Sequence, residues 1–99
     1  MKETRLEVLC NGQFKLNGEM SFASVPALWR QSQQLFAAVE APTLEIDLTG
    51  INHVDSAGLA LVVAWIRWSH RHAKELRFTH IPAKLVALAK ANNLSVLLD

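Results

Sequence analysis

A strand–helix–strand unit in the second half of the chain restricts the fold more than any other feature. Residues 43–48 alternate apolar and polar side chains, as a half-buried strand does, and residues 76–81 are predicted to form another strand. Residues 57–72 between them have helical periodicity. Strands joined through a helix lie parallel in one sheet, with a right-handed crossover. The sequence therefore predicts an α/β fold in which strand 43–48 is interior and runs parallel to strand 76–81.

A β-hairpin is predicted at the start of the chain. The pair Asn11-Gly12 separates two alternating segments, 6–10 and 13–16, and accepts the positive φ angles that a two-residue turn requires. Asn17-Gly18 is predicted to end the second strand. The hairpin contributes antiparallel strands, so the sheet is expected to be mixed.

Two further helices complete the predicted order, which is ββαβαβα. One begins at the N-cap candidate Ser24 and stops before Ala41-Pro42, and another opens at Pro82. Asn92-Asn93 can close the latter in a left-handed conformation, and an apolar tail of strand or coil follows at 94–98. We therefore expect a single domain over residues 1–99, with a mixed four- or five-stranded sheet and about three helices mainly on one face.

Composition narrows the class of protein. With 99 residues and 51% hydrophobic residues, the chain is too apolar to be disordered and fits one core. Its net charge of +1 gives no electrostatic indication of nucleic acid or of an acidic membrane. The single Cys10 excludes an internal disulfide and a cysteine-based zinc site. Residues 57–66, the longest uncharged apolar run, are too short for a membrane span, and residues 1–5 do not begin a signal peptide, so we expect a cytoplasmic location.

Motifs of catalysis and of cofactor binding are missing from the sequence. The glycines fit no phosphate-binding loop, and no cofactor is expected. His70 and His72 point to nearly opposite sides of a helix and cannot share a metal ion. No element spacing forces Asp47 and Asp55 together as a pair of carboxylates. The chain is therefore expected to be a binding module and not an enzyme.

The segment 47–61 is the best candidate for a functional site. It leads from the C-terminal end of a strand, through a polar turn at 52–56, into the N-terminus of a helix, where ligands and partners of α/β sheets gather. Ser56 places a hydroxyl there, and Gly58 removes side-chain bulk, so that another backbone could approach closely. The structural alternative is that Asp55 or Ser56 caps the helix and that Gly58 packs against the sheet.

The residues of this segment resemble the STAS-domain signature. Asp47-Leu48 followed by Val54-Asp55-Ser56-Ala57-Gly58-Leu59 is similar to the motif shared by sulfate transporter tails and anti-sigma-factor antagonists. The element order resembles the STAS fold across essentially the whole chain. In that family the Ser or Thr after the Asp is the phosphorylation or partner-contact position, which here is Ser56.

Within the family, the chain looks most like the small STAS subunits of phospholipid ABC transporters, although those typically have Asp-Thr-Gly-Gly where this chain has Asp-Ser-Ala-Gly. The resemblance implies a non-enzymatic, cytoplasmic subunit, peripheral to the inner membrane, that binds and stabilises the ATPase subunit, with the permease in the full complex, and helps to maintain outer-membrane lipid asymmetry. It implies no contact with nucleic acid and no insertion into the membrane. The expected contact residues are Asn52, His53, Asp55, Ser56, Ala57, Gly58, Leu59 and Leu61. The alternative is an anti-sigma-factor antagonist whose partner is a serine kinase or anti-sigma factor that phosphorylates Ser56.

Helix 57–72 carries two further patterns that the sequence leaves open. Its second apolar stripe, Leu61, Trp65 and Trp68, must bury against neighbouring helices or against another protein. Its basic stripe, formed by Arg67, Arg71 and Lys74, is either a solvated face that complements the helix dipole or the contact for an acidic patch on a partner.

Overall fold

The computed structural model describes residues 4–98; residues 1–3 and 99, the ends of the predicted domain, lie outside the described residues. The elements, in chain order, are β1 (Arg5–Cys10), β2 (Gln13–Met20), α1 (Val25–Ala37), β3 (Thr43–Val54), α2 (Ser56–Arg71), β4 (Glu75–Thr79), α3 (Ala83–Ala91) and a 3₁₀ turn (Ser95–Leu98). The predicted order ββαβαβα and the four-stranded mixed sheet are confirmed.

The strands follow one another across the sheet in the order β1-β2-β3-β4. β1 and β2 form the predicted antiparallel hairpin, β2 pairs with β3 in parallel, and β3 pairs with β4 in parallel. The interior position of β3 is thereby confirmed. Buried side chains alternate along β2 and β3 and lie on one face, where they meet the helices, and the opposite face of the sheet is open and polar.

Two strands are longer than the sequence pattern predicts. Asn17-Gly18 does not end β2, which continues to Met20. The polar turn predicted at 52–56 is wrong, because β3 continues to Val54 and α2 begins at Ser56. The two added segments pair with each other, with register shifts after Lys15 and after Gly18. Pairing between strands thus outweighs the local preference of Asn-Gly for a turn.

The helix ends differ from the prediction in α1 and agree with it in α3. α1 ends at Ala37, before Ala41-Pro42, and Ser24 makes no side-chain cap to it; its hydroxyl instead donates to the Glu19 carbonyl at 2.7 Å. Pro82 precedes α3, and Asn93 adopts the expected left-handed conformation, with φ of 58°. None of the helices among residues 4–98 is long and apolar enough to cross a membrane.

α2 is buried on two sides, which settles the role of its second apolar stripe. Leu61, Trp65 and Trp68 all lie in the core. The Phe36 ring of α1 lies 5.9 Å from the ring of Trp65 and 5.5 Å from that of Trp68, and Phe78 of β4 stacks on Trp65 at 6.3 Å. The tryptophans therefore join α1 and the sheet to α2 and form no exposed interface.

The buried indole of Trp65 donates to the Ser32 hydroxyl at 2.9 Å, and that hydroxyl donates to the Trp29 carbonyl at 2.8 Å. We predict that Ser32→Ala lowers the free energy of unfolding by about 1–3 kcal/mol, because it leaves a buried N–H without an acceptor. Trp65→Phe removes that donor, so Ser32→Ala no longer leaves an unpaired N–H in its presence. The double variant should therefore be about 1 kcal/mol more stable than adding the two single effects would give. Urea unfolding of the four proteins measures this coupling, and strictly additive effects would contradict it.

Candidate functional site

The candidate site lies where β3 passes into α2. Only Asp55 separates the two elements, since Val54 ends the strand and Ser56 begins the helix. Asn52 and His53 are exposed near the C-terminal end of β3. Ala57 is half-buried in the first turn of α2. The site is thus the end of a paired strand joined to a helix through one residue, and it is more rigid than the loop that the sequence predicts.

Asp55 is the cap of α2, and it also binds the neighbouring loop. Its Oδ1 accepts from the Ala57 N–H at 2.8 Å, and its Oδ2 accepts from the Phe22 N–H at 3.0 Å. We call this pair of bonds the Asp55 bridge, because it ties the β2–α1 loop to the start of α2. The pKa of the Asp55 carboxyl lies below its ordinary value. The largest cause is the hydrogen bond from the Phe22 N–H, and the N–H groups of Ala57 and Gly58 and the nearby His53 also lower the pKa.

The Asp55 bridge predicts a loss of stability in acid. A carboxylate whose pKa is lowered by folding contributes its full stability above its unfolded pKa of about 4 and loses it as the pH falls through the lowered folded pKa. Asp55→Ala should lower the free energy of unfolding at pH 7 and reduce its decline below about pH 4. Thermal unfolding across this pH range is the measurement. Glu40→Ala, which removes an exposed carboxylate outside the site, should keep the wild-type decline, and an equal decline in Asp55→Ala would contradict the prediction.

Ser56 presents an unengaged hydroxyl. It is the first residue of α2 and is exposed, and its side chain makes no hydrogen bond to the residues that the structure describes. Because Asp55 supplies the cap, Ser56 is not needed to hold the helix. Of the two cap candidates, Asp55 caps α2 and Ser56 does not, so the effect of Ser56→Ala on stability should stay within about 0.5 kcal/mol, as for other surface positions.

Gly58 faces the protein's own backbone and not a partner. A Cβ at this position would lie 2.6 Å from the Met20 carbonyl oxygen and 3.1 Å from a methyl carbon of Val54. The close approach that the sequence suggests at Gly58 is therefore the packing of α2 against the ends of β2 and β3.

This contact changes what a large residue at position 58 does. We predict that Gly58→Leu destabilises the fold by about 1–3 kcal/mol or more, because the side chain would overlap the backbone of β2. Gly58→Ala should have a smaller effect of the same sign. Urea unfolding measures both, and a Leu variant as stable as wild type would show that α2 can shift away from the sheet.

Three of the expected contact residues, Gly58, Leu59 and Leu61, are buried. Leu59 and Leu61 are 5% and 2% exposed, and they belong to the core cluster. Both follow the site in sequence, but the helix turns them towards the sheet and towards α1. The surface available to a partner is therefore formed by Asn52, His53, Ser56 and the exposed edges of Asp55 and Ala57.

Phe22 is a residue of this surface that sequence reasoning missed. Its side chain is 84% exposed, and its backbone N–H is bound to Asp55. The available sign was an aromatic residue inside the short polar segment 21–24, between a strand and a helix. Its closeness to Asp55 follows from the pairing of β2 with β3, which the sequence pattern did not predict.

The other candidates from the sequence lie apart from this site. Asp47 accepts from the Thr49 N–H at 2.9 Å and contacts His80 Nδ1 at 3.1 Å, and Thr49 is the main cause that lowers its pKa. Asp47 and Asp55 thus have different partners. No group of three or more His, Cys, Asp or Glu side chains comes together between residues 4 and 98. Lys74 is not part of an exposed basic stripe, because its amine donates to the carbonyls of Val39 and Ala41.

A family model and a known protein are both similar to this chain over most of its length. A family model described as "MlaB, STAS domain" matches residues 10–99. The intermembrane phospholipid transport system binding protein MlaB of Haemophilus influenzae is 29% identical over 82 residues, which cover 81% of this chain and 78% of that protein.

Solved structures share the architecture. The anti-sigma factor antagonist SpoIIAA in its unphosphorylated form superposes with a TM-score of 0.74 at 14% identity, covering 98% of this chain and 86% of that one. The phosphorylated form of SpoIIAA, described as a Bacillus cell fate determinant, gives 0.71 at 16% identity, covering 98% and 89%. At such identities the similarity establishes the fold alone.

Proposed function

We infer that this chain, which belongs to the STAS-domain family, is a non-enzymatic binding subunit of a phospholipid ABC transporter and that it holds the transporter's ATPase subunit. The observation that carries this proposal is the surface around the Asp55 bridge, where the unengaged Ser56 hydroxyl follows Asp55 in the chain and the exposed Phe22 is bound to Asp55 through its backbone N–H. The Haemophilus influenzae relative, named for intermembrane phospholipid transport, supports the choice of transporter.

The surface has the chemistry of a protein contact. Covering an exposed aromatic side chain such as Phe22 removes apolar surface from water, and Phe, Tyr and Trp are enriched in the buried centres of protein interfaces. Its backbone is fixed by Asp55, so little conformational entropy is lost when a partner covers it. The neighbouring Ser56, His53 and Asn52 supply hydrogen-bonding groups around this apolar centre. Within residues 52–58 Asp55 is the only formal negative charge, and the bridge already engages both of its oxygens. Glu19 of β2, the register partner of His53, is a second carboxylate at this end of the sheet.

In the proposed complex, the ATPase subunit covers Phe22 and the first turn of α2. The chain contributes binding energy and shape to the assembled transporter, at the cytoplasmic side of the inner membrane, and performs no chemistry. Its contribution to outer-membrane lipid asymmetry would then be indirect, through the stability of the ATPase in the complex. Because the surface is largely uncharged, the affinity should depend only weakly on salt.

A second function is supported by the same hydroxyl. Ser56 is exposed and unbonded at a helix N-terminus, where the partial positive charge favours an added phosphate. The fold is also that of an anti-sigma factor antagonist with phosphorylated and unphosphorylated forms. In this case the partner is a serine kinase or anti-sigma factor, and phosphorylation of Ser56 would end the contact.

The experiment compares variants of this surface for binding to the ATPase subunit of the phospholipid transporter from the same organism. Phe22→Ser should weaken binding by about tenfold or more, because it removes the apolar centre. Ser56→Glu should have a similar effect, since it places an unpaired charge in the contact. Ser56→Ala should weaken binding less. Isothermal titration calorimetry measures the affinities, and circular dichroism confirms that each variant is folded.

Ser95→Glu is the matched control, because it adds the same charge at another exposed serine, in the 3₁₀ turn. Wild-type affinity of both Phe22→Ser and Ser56→Glu would remove this surface from the proposal. If wild type does not bind the ATPase, and a serine kinase of the organism phosphorylates wild type but not Ser56→Ala, the second function is the correct one.

A further inference from the structure

The α1–α2 groove is a concave surface that extends from Ala60, one helical turn after Ser56, to the end of α2. It has a volume of about 610 Å³ and is lined by Trp29 and Gln33 of α1 and by Ala60, Ala64, Arg67 and Arg71 of α2, among others. The two alanines leave room between the indole of Trp29 and the guanidinium groups. Arg71 is 15 residues from Ser56 along α2, or about 22 Å at the rise of an α-helix. A partner centred on Arg67 and Arg71 therefore occupies the end of the groove that lies away from the Asp55 bridge.

Charge is distributed unevenly between the two layers of the molecule. Every Asp, Glu, Lys or Arg in the described helices is a cation: Arg30 in α1, Arg67 and Arg71 in α2, and Lys84 and Lys90 in α3. The strands carry three cations, Arg5, Lys15 and Arg77, and five carboxylates, Glu7, Glu19, Glu45, Asp47 and Glu75. The small net charge of the chain thus conceals a basic helical layer.

The α1–α2 groove offers hydrogen-bond donors and no carboxylate. Arg67 and Arg71 are exposed, four residues apart on one side of α2, and neither forms an ion pair with a described carboxylate. Gln33 adds an amide nitrogen, Nε2, that is shielded from solvent and has no hydrogen-bond partner within residues 4–98. A buried donor without an acceptor is unfavourable, so a nearby carboxylate or carbonyl would improve the site.

We propose that the α1–α2 groove binds an acidic amphipathic segment of another protein, with carboxylates on Arg67 and Arg71 and an apolar side chain against Trp29. Charge complementarity selects the partner, because the groove is cationic on its rim and partly apolar in its lining. A concave surface accepts an inserted side chain, whereas attachment to a membrane surface uses protruding apolar side chains. The proposal stands on different residues from the proposed function and does not depend on it.

The test uses a capped synthetic helical peptide with leucine along one face and glutamate along both flanks, titrated into the ¹⁵N-labelled chain. We expect amide shift changes at Trp29, Gln33 and Arg67 and little change at Ser56. Affinity should fall as salt is raised. The double variant Arg67→Glu/Arg71→Glu should bind about tenfold or more weakly, because two attractive contacts become repulsive.

Lys84→Glu/Lys90→Glu is the matched control, with the same change of net charge on α3, outside the groove, and it should bind nearly as wild type does. Equal losses in the two double variants, or equal binding of a lysine version of the peptide, would overturn the proposal. Binding of vesicles that contain phosphatidylglycerol, with no binding of the acidic peptide, would overturn it in favour of a membrane contact. Retained affinity of Phe22→Ser for the peptide separates this result from a failure of the proposed function.

Discussion

β2 and β3 run parallel from the pair Gln13–Glu45 to the pair Met20–Val54, and the second half of this pairing positions the rest of the functional end. It places the Met20 carbonyl where it accepts from the Asp55 N–H at 3.1 Å and where it leaves room only for a glycine at position 58. The first turn of α2 is thereby fixed against the sheet. The β2–α1 loop, which follows Met20 directly, is brought to the same place.

Asp55 joins the β2–α1 loop and the first turn of α2 into one surface. One carboxylate satisfies a free N–H of α2 and a free N–H of the loop, so two segments that are 33 residues apart share an acceptor. Asp55 therefore stabilises the candidate site, whereas other residues expose their side chains there. Ser56 and Phe22 project from the fixed backbone without structural tasks of their own, which leaves their side chains available to a partner.

The two ends of α2 have different characters. The N-terminal end is nearly uncharged and carries the family's signature, whereas the C-terminal half lies beside α1 with Arg67 and Arg71 exposed. The aromatic cluster of Phe36, Trp65 and Trp68 fills the space between these ends and the sheet. The two proposed contact surfaces thus lie on one helix, the first at its N-terminal turn and the second around Arg67 and Arg71.

Sequence patterns correctly predict the order of the elements, the parallel arrangement of β3 and β4 and the hairpin turn at Asn11-Gly12, and they place the candidate site at the start of α2. Hydrophobic periodicity and short turn motifs act between near neighbours, so the sequence pattern displays them directly. Only the tertiary structure decided that Leu59 and Leu61 are buried, that Gly58 faces Met20, that Lys74 binds the α1–β3 loop, and that Phe22 lies beside Asp55. Each of these depends on which segments pair across the sheet, and pairing between distant segments is set by the packing of the whole core and leaves no local pattern in the chain.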